Sequence, residues 1–238
     1  MSDARWELIR PTVEAWRHAR NGIRKPTHDL RALMNAILYV DRTGIPWRSL
    51  PHDFPPHRSV YGYFARWEAD GIFDQLTGLL RGKVRQAEGR TSEPSACLFD
   101  SQSIKTYAAV PLTGQGIDPA MKIIGRKRHI VADTLDLLLV VAVTPASVHD
   151  SAAGTQLLTQ IRDRHPTITK AWADNDYKTK AVEHAAEIGI DLEIVQRNPT
   201  VCGFHVQPRR SAAMIQLAAI HLMTRSLTHE ATPSWRDS

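Results

Sequence analysis

The spacing of apolar residues changes once along this chain, near residue 95, and that change limits what the chain can fold into. Before it, apolar side chains recur every three or four residues, as at Leu30, Leu33, Met34, Ile37 and Leu38. That spacing predicts amphipathic helices. After it, short apolar runs of the kind found in buried strands are separated by segments of helical spacing. We therefore expect a helical N-terminal region followed by an α/β domain.

The N-terminal region, residues 1–90, predicts three short helices joined by tight turns. Gly44 and Pro46 end the first of them, and Gly71 ends the second. Three short helices in this arrangement are typical of a helix-turn-helix module. Residues 81–95 are polar and have few apolar anchors, so we expect them to form the linker to the second domain.

The second region, residues 96–227, predicts three consecutive strands and then helix, strand, helix, strand, helix. Three consecutive strands can form a meander, and strands that alternate with helices favour parallel pairing. This order predicts a mixed-sheet α/β domain of the ribonuclease-H-like type. The last residues, 228–238, predict a polar tail.

Charge distinguishes the two regions. The chain carries a formal net charge of +5, and residues 1–90 hold 15 basic and 10 acidic side chains, which accounts for all of it. Such an asymmetry suggests that the helical region meets a polyanion.

The longest apolar run, residues 137–143, is far shorter than the ~20 residues that span a bilayer. With no apolar signal segment at its start, the chain is expected to be cytoplasmic.

Two aspartates follow apolar strands. Asp100 closes the first predicted strand and Asp174 the fourth. Ligand crevices form at strand ends in α/β sheets, and Mg²⁺ prefers hard oxygen ligands, so the pair could hold metal for phosphodiester chemistry. The alternative is that each aspartate only caps a turn. The residues alone leave both interpretations open.

Cys97 and Cys202 are too few for a metal finger and are expected to be small buried hydrophobes.

Six stretches along both regions form a pattern in a fixed order. They are NAILYVDRTGIPWRSLPHDFPPHRSVYGYFARWEADGIFDQL, DSQSIKT, GRKRHIVADTLDLLLVVAVTPASVHD, ADNDY, FHVQPRR and AAMIQLAAIHLMTR. Together they resemble the DDE transposases of bacterial insertion sequences. The resemblance implies that Asp100 and Asp174 are the first two members of a catalytic triad that holds two Mg²⁺ ions in an intact family member. It further implies DNA cleavage and strand transfer, element-end and target DNA as partners, a homodimer on DNA, and recognition of the element ends by the helical region.

The third acid of the triad is missing at its expected place. In the family it is a Glu that follows an Arg by four residues, but Met214 stands four residues after Arg210. The helical segment that carries this Glu looks deleted between residues 210 and 211. A thioether cannot replace a Mg²⁺-binding carboxylate. We therefore expect a chain that folds at least partly but does not transpose by itself. The remaining candidates, set aside as solvated or misplaced, are Glu183, Glu187, Glu193 and Glu230.

Basic side chains along both regions are candidates for phosphate contacts, since Lys and Arg release counterions from DNA. Their alternative role is that of solvated surface charges. The candidates are Arg48, Arg58, Arg66, Lys105, Arg126, Lys127, Arg128, Arg209 and Arg210. We expect Trp47 to pack in the helical region, and His129 and His149 to be structural.

Three further interpretations compete with a transposase. The chain could be a catalytically dead DNA-binding remnant that inhibits an intact copy, or a stand-alone nuclease of the same fold. It could also be unstable, because the deletion exposes apolar surface. A stand-alone nuclease leaves the separate basic helical region unexplained.

Overall fold

The computed structural model describes residues 1–21, 28–105, 115–119, 122–195 and 212–230. For residues 212–215 and 217 it describes the backbone only. The chain forms two compact units. The first combines Met1–Ser92 with Ala213–Ser238, and the second is Glu93–Ala212. No helix within the described residues is long and apolar enough to cross a membrane.

The first unit is helical. Its core contains the fully buried side chains of Ile9, Leu33, Ile37, Trp67 and Leu76. The helices are α1 (Asp3–Asn21), α2 (Leu30–Thr43), α3 (His57–Ala69), α4 (Ile72–Ala87) and α7 (Ala212–Leu227), with a short 3₁₀ helix at Trp47–Ser49. Sequence analysis did not predict α1, which contains Pro11.

Tertiary packing accounts for α1. Proline inside a helix removes one backbone hydrogen bond. The side chains of Trp6, Ile9 and Val13 follow at helical spacing and are all buried, which offsets that loss. Gly44 ends α2 as predicted, with a φ of 68° and a backbone N–H that donates to the Val40 carbonyl.

The predicted linker begins too early. Helix α4 continues to Ala87, so residues 81–87 are helical rather than part of a linker at 81–95. Val84 extends the apolar face of Leu76 and Leu80 by one turn and is buried. Arg85 is also buried, and its Nε donates to the Thr91 carbonyl at 2.8 Å. One apolar residue at the right spacing therefore lengthens the helix where the composition is mostly polar.

The last helix packs with the N-terminal helices, although sequence analysis assigns it to the core at 96–227. Ile220 and Met223 of α7 are buried. The Arg5 Nε of α1 donates to Thr224 Oγ1 at 3.1 Å, and Gln216 donates to Asp74 of α4. The helix α7 is apolar on much of its surface, so its periodicity does not specify which unit it joins.

The second unit contains one six-stranded sheet. Strands β4, β3, β1, β5 and β6 lie side by side in that order, and the short β2 pairs antiparallel with the start of β3. The three strands β1, β5 and β6 are parallel, whereas β3 is antiparallel to β1 and β4. The strands are β1 (Ala96–Lys105), β2 (Gly116–Asp118), β3 (Ile123–Asp133), β4 (Leu138–Pro145), β5 (Lys170–Asp174) and β6 (Asp191–Val195).

Two helices cover one face of this sheet. Helix α5 (Asp150–Arg164) joins β4 to β5, and α6 (Lys180–Glu187) joins β5 to β6. Their apolar side chains, including Leu157 and Ala181, form one buried cluster with Phe99, Val131 and Ala171 of the sheet. An antiparallel meander followed by parallel strands with helical crossovers is the ribonuclease-H-like arrangement, so the predicted fold class is confirmed. Cys97 lies in this core, where burial raises the pKa of its thiol to about 12.

Candidate active site

Asp100 and Asp174 lie beside each other on neighbouring strands. Strands β1 and β5 are parallel and pair through Leu98 and Trp172. Continued for two residues, this register sets Asp100 opposite Asp174, and both carboxylates act on the nearby Tyr177 hydroxyl. Neighbouring strands are about 4.8 Å apart, so the two carboxylates emerge next to each other at the end of β5.

Both aspartates lie on the sheet face opposite the helices. In β1, Cys97 and Phe99 are buried against the helices, whereas Leu98 and Asp100 are exposed. In β5, Ala171 and Ala173 are buried, whereas Trp172 and Asp174 are only half-buried. Because successive side chains in a strand point to opposite faces, the two carboxylates share the outer face. They are accessible there to a metal ion and to a large substrate.

Asp174 also shapes the turn that follows it. Its Oδ1 accepts a hydrogen bond from the Asp176 backbone N–H at 3.1 Å and caps the short 3₁₀ helix Asn175–Tyr177. The turn-capping interpretation of this aspartate and the functional interpretation are therefore compatible. A carboxylate has two oxygens and about four acceptor positions, so capping the turn does not by itself prevent it from binding a cation.

Tyr177 connects the Asp174 turn to the strand of Asp100. Its side chain is fully buried, and its hydroxyl lies 3.2 Å from His129 Nδ1 and hydrogen-bonds to Ser101, the residue after Asp100. Burial raises the pKa of Tyr177 far above its ordinary value, and the carboxylates of Asp150, Asp174 and Asp100 add to that effect. The hydroxyl therefore stays protonated at neutral pH, inside the core between β1 and the turn that begins at Asp174.

A polar network surrounds this tyrosine on the helix-covered face. His129 is fully buried, and its Nε2 lies 3.0 Å from Thr144 Oγ1. Asp150, the first residue of α5, lies 3.8 Å from His129 and 3.1 Å from the Lys127 amine. Burial lowers the pKa of His129, so the imidazole is neutral at pH 7.

Sequence reasoning missed most of this network. It expected a structural role for His129, as observed, and His149 caps α5 by accepting from the Ser151 N–H at 3.3 Å. It did not single out Tyr177, Ser101 or Asp150. The only signal was their place within the quoted stretches ADNDY, DSQSIKT and VHD, because apolar periodicity does not report buried polar contacts.

No third acidic ligand joins the pair within the described residues, where no group of three metal-ligating side chains occurs. Glu183 and Glu187 are exposed on α6. Glu193 of β6 accepts from the Lys170 amine at 2.8 Å and from the Trp172 indole at 3.2 Å, and the lysine lowers its pKa. Glu230 belongs to the other unit and pairs with Arg5. The side chain of Met214 lies outside the described residues.

The basic candidates of the helical unit are at the surface. Arg48 in the 3₁₀ helix, Arg58 near the start of α3 and Arg66 near its end are all exposed. The Arg66 guanidinium lies over the Tyr63 ring at 4.7 Å and donates to the Gly62 carbonyl. Trp47 packs against Tyr61 and Phe64, as predicted.

The basic candidates of the α/β unit differ among themselves. Lys105 is exposed at the end of β1, and Arg126 is half-buried. Arg128 is buried, and the Lys127 side chain is only 11% exposed and pairs with Asp118 and Asp150. Lys127 and Arg128 are therefore less accessible than Lys105, and their contact with DNA stays a prediction. Arg209 and Arg210 lie outside the described residues.

Two family models match the chain, one on each side of the change in periodicity. Residues 1–77 match a model described as transposase of the IS4/5 family (DUF4096). Residues 91–218 match the transposase DDE domain, which covers more than half of the chain.

Individual proteins match as well. A 16.2 kDa protein of insertion element IS402 from Burkholderia cepacia is 33% identical over 119 residues, which cover 48% of this chain and 79% of that protein. Protein y4sN of Sinorhizobium fredii is 31% identical over 80 residues, 34% of this chain and 62% of the relative. Among solved structures, the Drosophila P element transposase strand transfer complex matches with a TM-score of 0.40 and 13% identity. That match covers 80% of this chain and 47% of the other.

Proposed function

Because the chain belongs to the DDE transposase family of insertion elements, we propose that it binds the end sequences of a mobile DNA element through its helical unit. We further propose that Asp100 and Asp174 form the acidic part of its phosphoryl-transfer site. The observation that supports the proposal is the parallel register of β1 and β5 through Leu98 and Trp172, which, continued by two residues, sets the two aspartates side by side.

The aspartate pair fits a divalent metal ion as two of three expected ligands. Carboxylate oxygens are the ligands that Mg²⁺ prefers, and two negative charges on adjacent strands repel each other unless a cation lies between them. When bound, Mg²⁺ would stabilise the charge that develops on the phosphoryl oxygens and lower the pKa of the attacking hydroxyl group. Asp100 and Asp174 would hold it, while Tyr177 and Ser101 keep their strands aligned.

The helical unit would supply the DNA contacts. The exposed side chains of Arg48, Arg58 and Arg66 are accessible to backbone phosphates, and the helical unit contains the entire basic excess of the chain. Arg66 would meet a phosphate while its Nε donates to the Gly62 carbonyl. Phosphate contacts fix the position of a protein on DNA and make its affinity depend on salt. Lys105 and Arg126 in the α/β unit are further candidates close to the strand ends.

We propose that this chain does not complete the reaction, because Met214 stands where the family places a Glu. Two carboxylates bind a metal ion less tightly than three and leave the attacking group less well oriented. A second candidate function follows from the same observation: a chain that binds element ends without cleaving them would occupy those sites and inhibit an intact transposase.

The DNA-binding part can be tested by salt dependence. Replacing Arg48, Arg58 and Arg66 together by Gln should reduce the slope of log K against log salt by about 2.7, since each phosphate contact contributes ~0.9. Fluorescence anisotropy with a duplex from the terminal repeats would measure this. The control replaces Arg10 and Arg20 of α1, whose guanidinium groups already pair with acids of the same unit. An unchanged slope in the triple variant, or equal affinity for a scrambled duplex, would contradict the proposal.

The metal-binding part has an independent readout. Asp100→Asn should weaken Mn²⁺ binding at least about tenfold, because even loss of an outer-shell partner costs 10–100-fold. Electron paramagnetic resonance of free Mn²⁺ measures this without any DNA. The matched control is Asp163→Asn, which changes an exposed aspartate of α5 in the same unit. If both variants bind Mn²⁺ like the original chain, Asp100 is not a ligand.

A further inference from the structure

The helical unit contains a cavity of about 400 Å³ with a basic lining. It lies among α1, α2, the loop after Pro51 and α7, and none of the residues assigned above to DNA or metal lines it. Its wall includes two aromatic rings, Tyr39 and Phe54, whose centroids are 5.2 Å apart. The polar side chains that matter here are Arg5, Asn35, Arg42 and His221.

Positive charge exceeds negative charge around this cavity. Arg5 is buried and has one acidic partner, Glu230, at 3.6 Å. Arg42 is exposed at the cavity and has no ion pair within the described residues. Arg225 of α7 has a buried Nε and a buried Nη2, neither of which finds a hydrogen-bond acceptor in the described part of the chain. Arg225 acts electrostatically on Arg5 and His221 but does not line the cavity, whereas Arg5 and Arg42 do. No acidic side chain of the described residues lines it.

The pKa of His221 reflects this excess of positive charge. Its Nδ1 lies 2.8 Å from the Arg5 guanidinium, and the ring is half-buried. Burial, followed by the charges of Arg5, Arg225, Arg42 and the Met1 amino group, lowers the pKa of His221 to about 4. The imidazole is therefore neutral at pH 7 and can accept the hydrogen bond from Arg5. The acids nearby are each paired: Glu230 with Arg5, Asp3 with Arg31, and Glu7 and Glu14 with Arg10. None of them lines the cavity.

We propose that this cavity binds a phosphate group, with Arg42 and His221 among its contacts. Arg5 and Arg42 line a cavity that no acidic side chain of the described residues lines, and a tetrahedral oxyanion would neutralise that charge. Guanidinium groups also form strong, directed hydrogen bonds with phosphate. The phosphate could belong to a DNA backbone or to a free phosphate. The inference does not depend on Asp100 and Asp174, so it survives if the proposed catalytic site fails.

Binding of an anion must favour the protonated ring, and this makes the proposal measurable. By linkage, a ligand that binds the imidazolium form tenfold more tightly raises the pKa of the histidine by one unit. We expect millimolar inorganic phosphate, at constant ionic strength, to raise the pKa of His221 by about one unit. Histidine-ring NMR spectra recorded from pH 3.5 to 7 give this value, and His221→Asn assigns the signal.

Two variants separate a bound phosphate from a general salt effect. Arg42→Gln should remove most of the rise in the pKa of His221, and Arg42→Lys should keep part of it. The control is Arg48→Gln, which changes an exposed arginine outside the cavity and should leave the rise unchanged. A second arm replaces phosphate by a short DNA duplex. The same rise with DNA identifies backbone phosphate as the source, and a rise with inorganic phosphate only identifies a free phosphate. No rise in either arm, or an equal rise in Arg42→Gln, overturns the proposal.

Discussion

Inserting the helical segment of an intact relative between Arg210 and Ser211 is expected to raise Mg²⁺-dependent cleavage of element-end DNA at least about 100-fold, since a displacement of 1 Å at a reacting centre already costs that much. The insertion would supply the Glu that Met214 cannot replace. It would also place a helix after the last strand, where Leu98 and Val195 on the outer sheet face are 40% and 50% exposed. Gel analysis of end-labelled duplexes measures the cleavage.

The restored chain also provides its own control. Asp100→Asn or Asp174→Asn in that background should return cleavage to the level of the original chain, because each removes one metal-binding carboxylate. The same segment with its Glu replaced by Gln should restore folding but not cleavage. Cleavage at the restored rate by the original chain, without any insertion, would show that the third acid lies elsewhere.

The sheet and its aspartate pair are predictable from the sequence for a physical reason. A strand covered by helices on one face needs apolar side chains at alternate positions, and Ala171 and Ala173 of β5 supply them in a short apolar run that stops at Asp174. Asp100 ends the apolar part of β1 in the same way. Chain order then fixes which strands pair in parallel, and the two aspartates meet at one edge.

The parts that were not predicted depend on partners far apart in the sequence. Helix α7 packs through Arg5, which precedes Thr224 by 219 residues. Lys127 belongs to a basic run that looks like a DNA contact, yet its amine is neutralised by Asp118 and Asp150. Local composition records the charge of a side chain but not whether a distant segment supplies its counterion. The same limit hides Tyr177, whose hydrogen-bond partners lie on β1 and β3.

Replacing Tyr177 by Ala is expected to lower the free energy of unfolding by about 3–5 kcal/mol, the usual cost of deleting a buried aromatic ring. The ring is fully buried and packs edge-on against Phe99 at 5.8 Å. Tyr177→Phe keeps the ring and should cost ~1–3 kcal/mol, because the polar atoms of His129 and Ser101 lose a buried partner. Urea unfolding followed by circular dichroism measures both. Tyr61→Phe is the control, since Tyr61 is 51% exposed.

The hydroxyl of Tyr177 should also matter for the metal site. It joins Ser101, adjacent to Asp100, to the turn that begins at Asp174, so its loss lets the two strand ends shift relative to each other. Tyr177→Phe should therefore weaken Mn²⁺ binding by about 10-fold, a typical effect of losing an outer-shell contact. Ser101→Ala removes the β1 partner and should weaken Mn²⁺ binding similarly. His129→Gln breaks the network on its far side, and it should lower stability while leaving Mn²⁺ affinity nearly unchanged. If all three variants lose stability and none loses Mn²⁺ affinity, strand pairing alone aligns the two aspartates, and Tyr177 serves only the core.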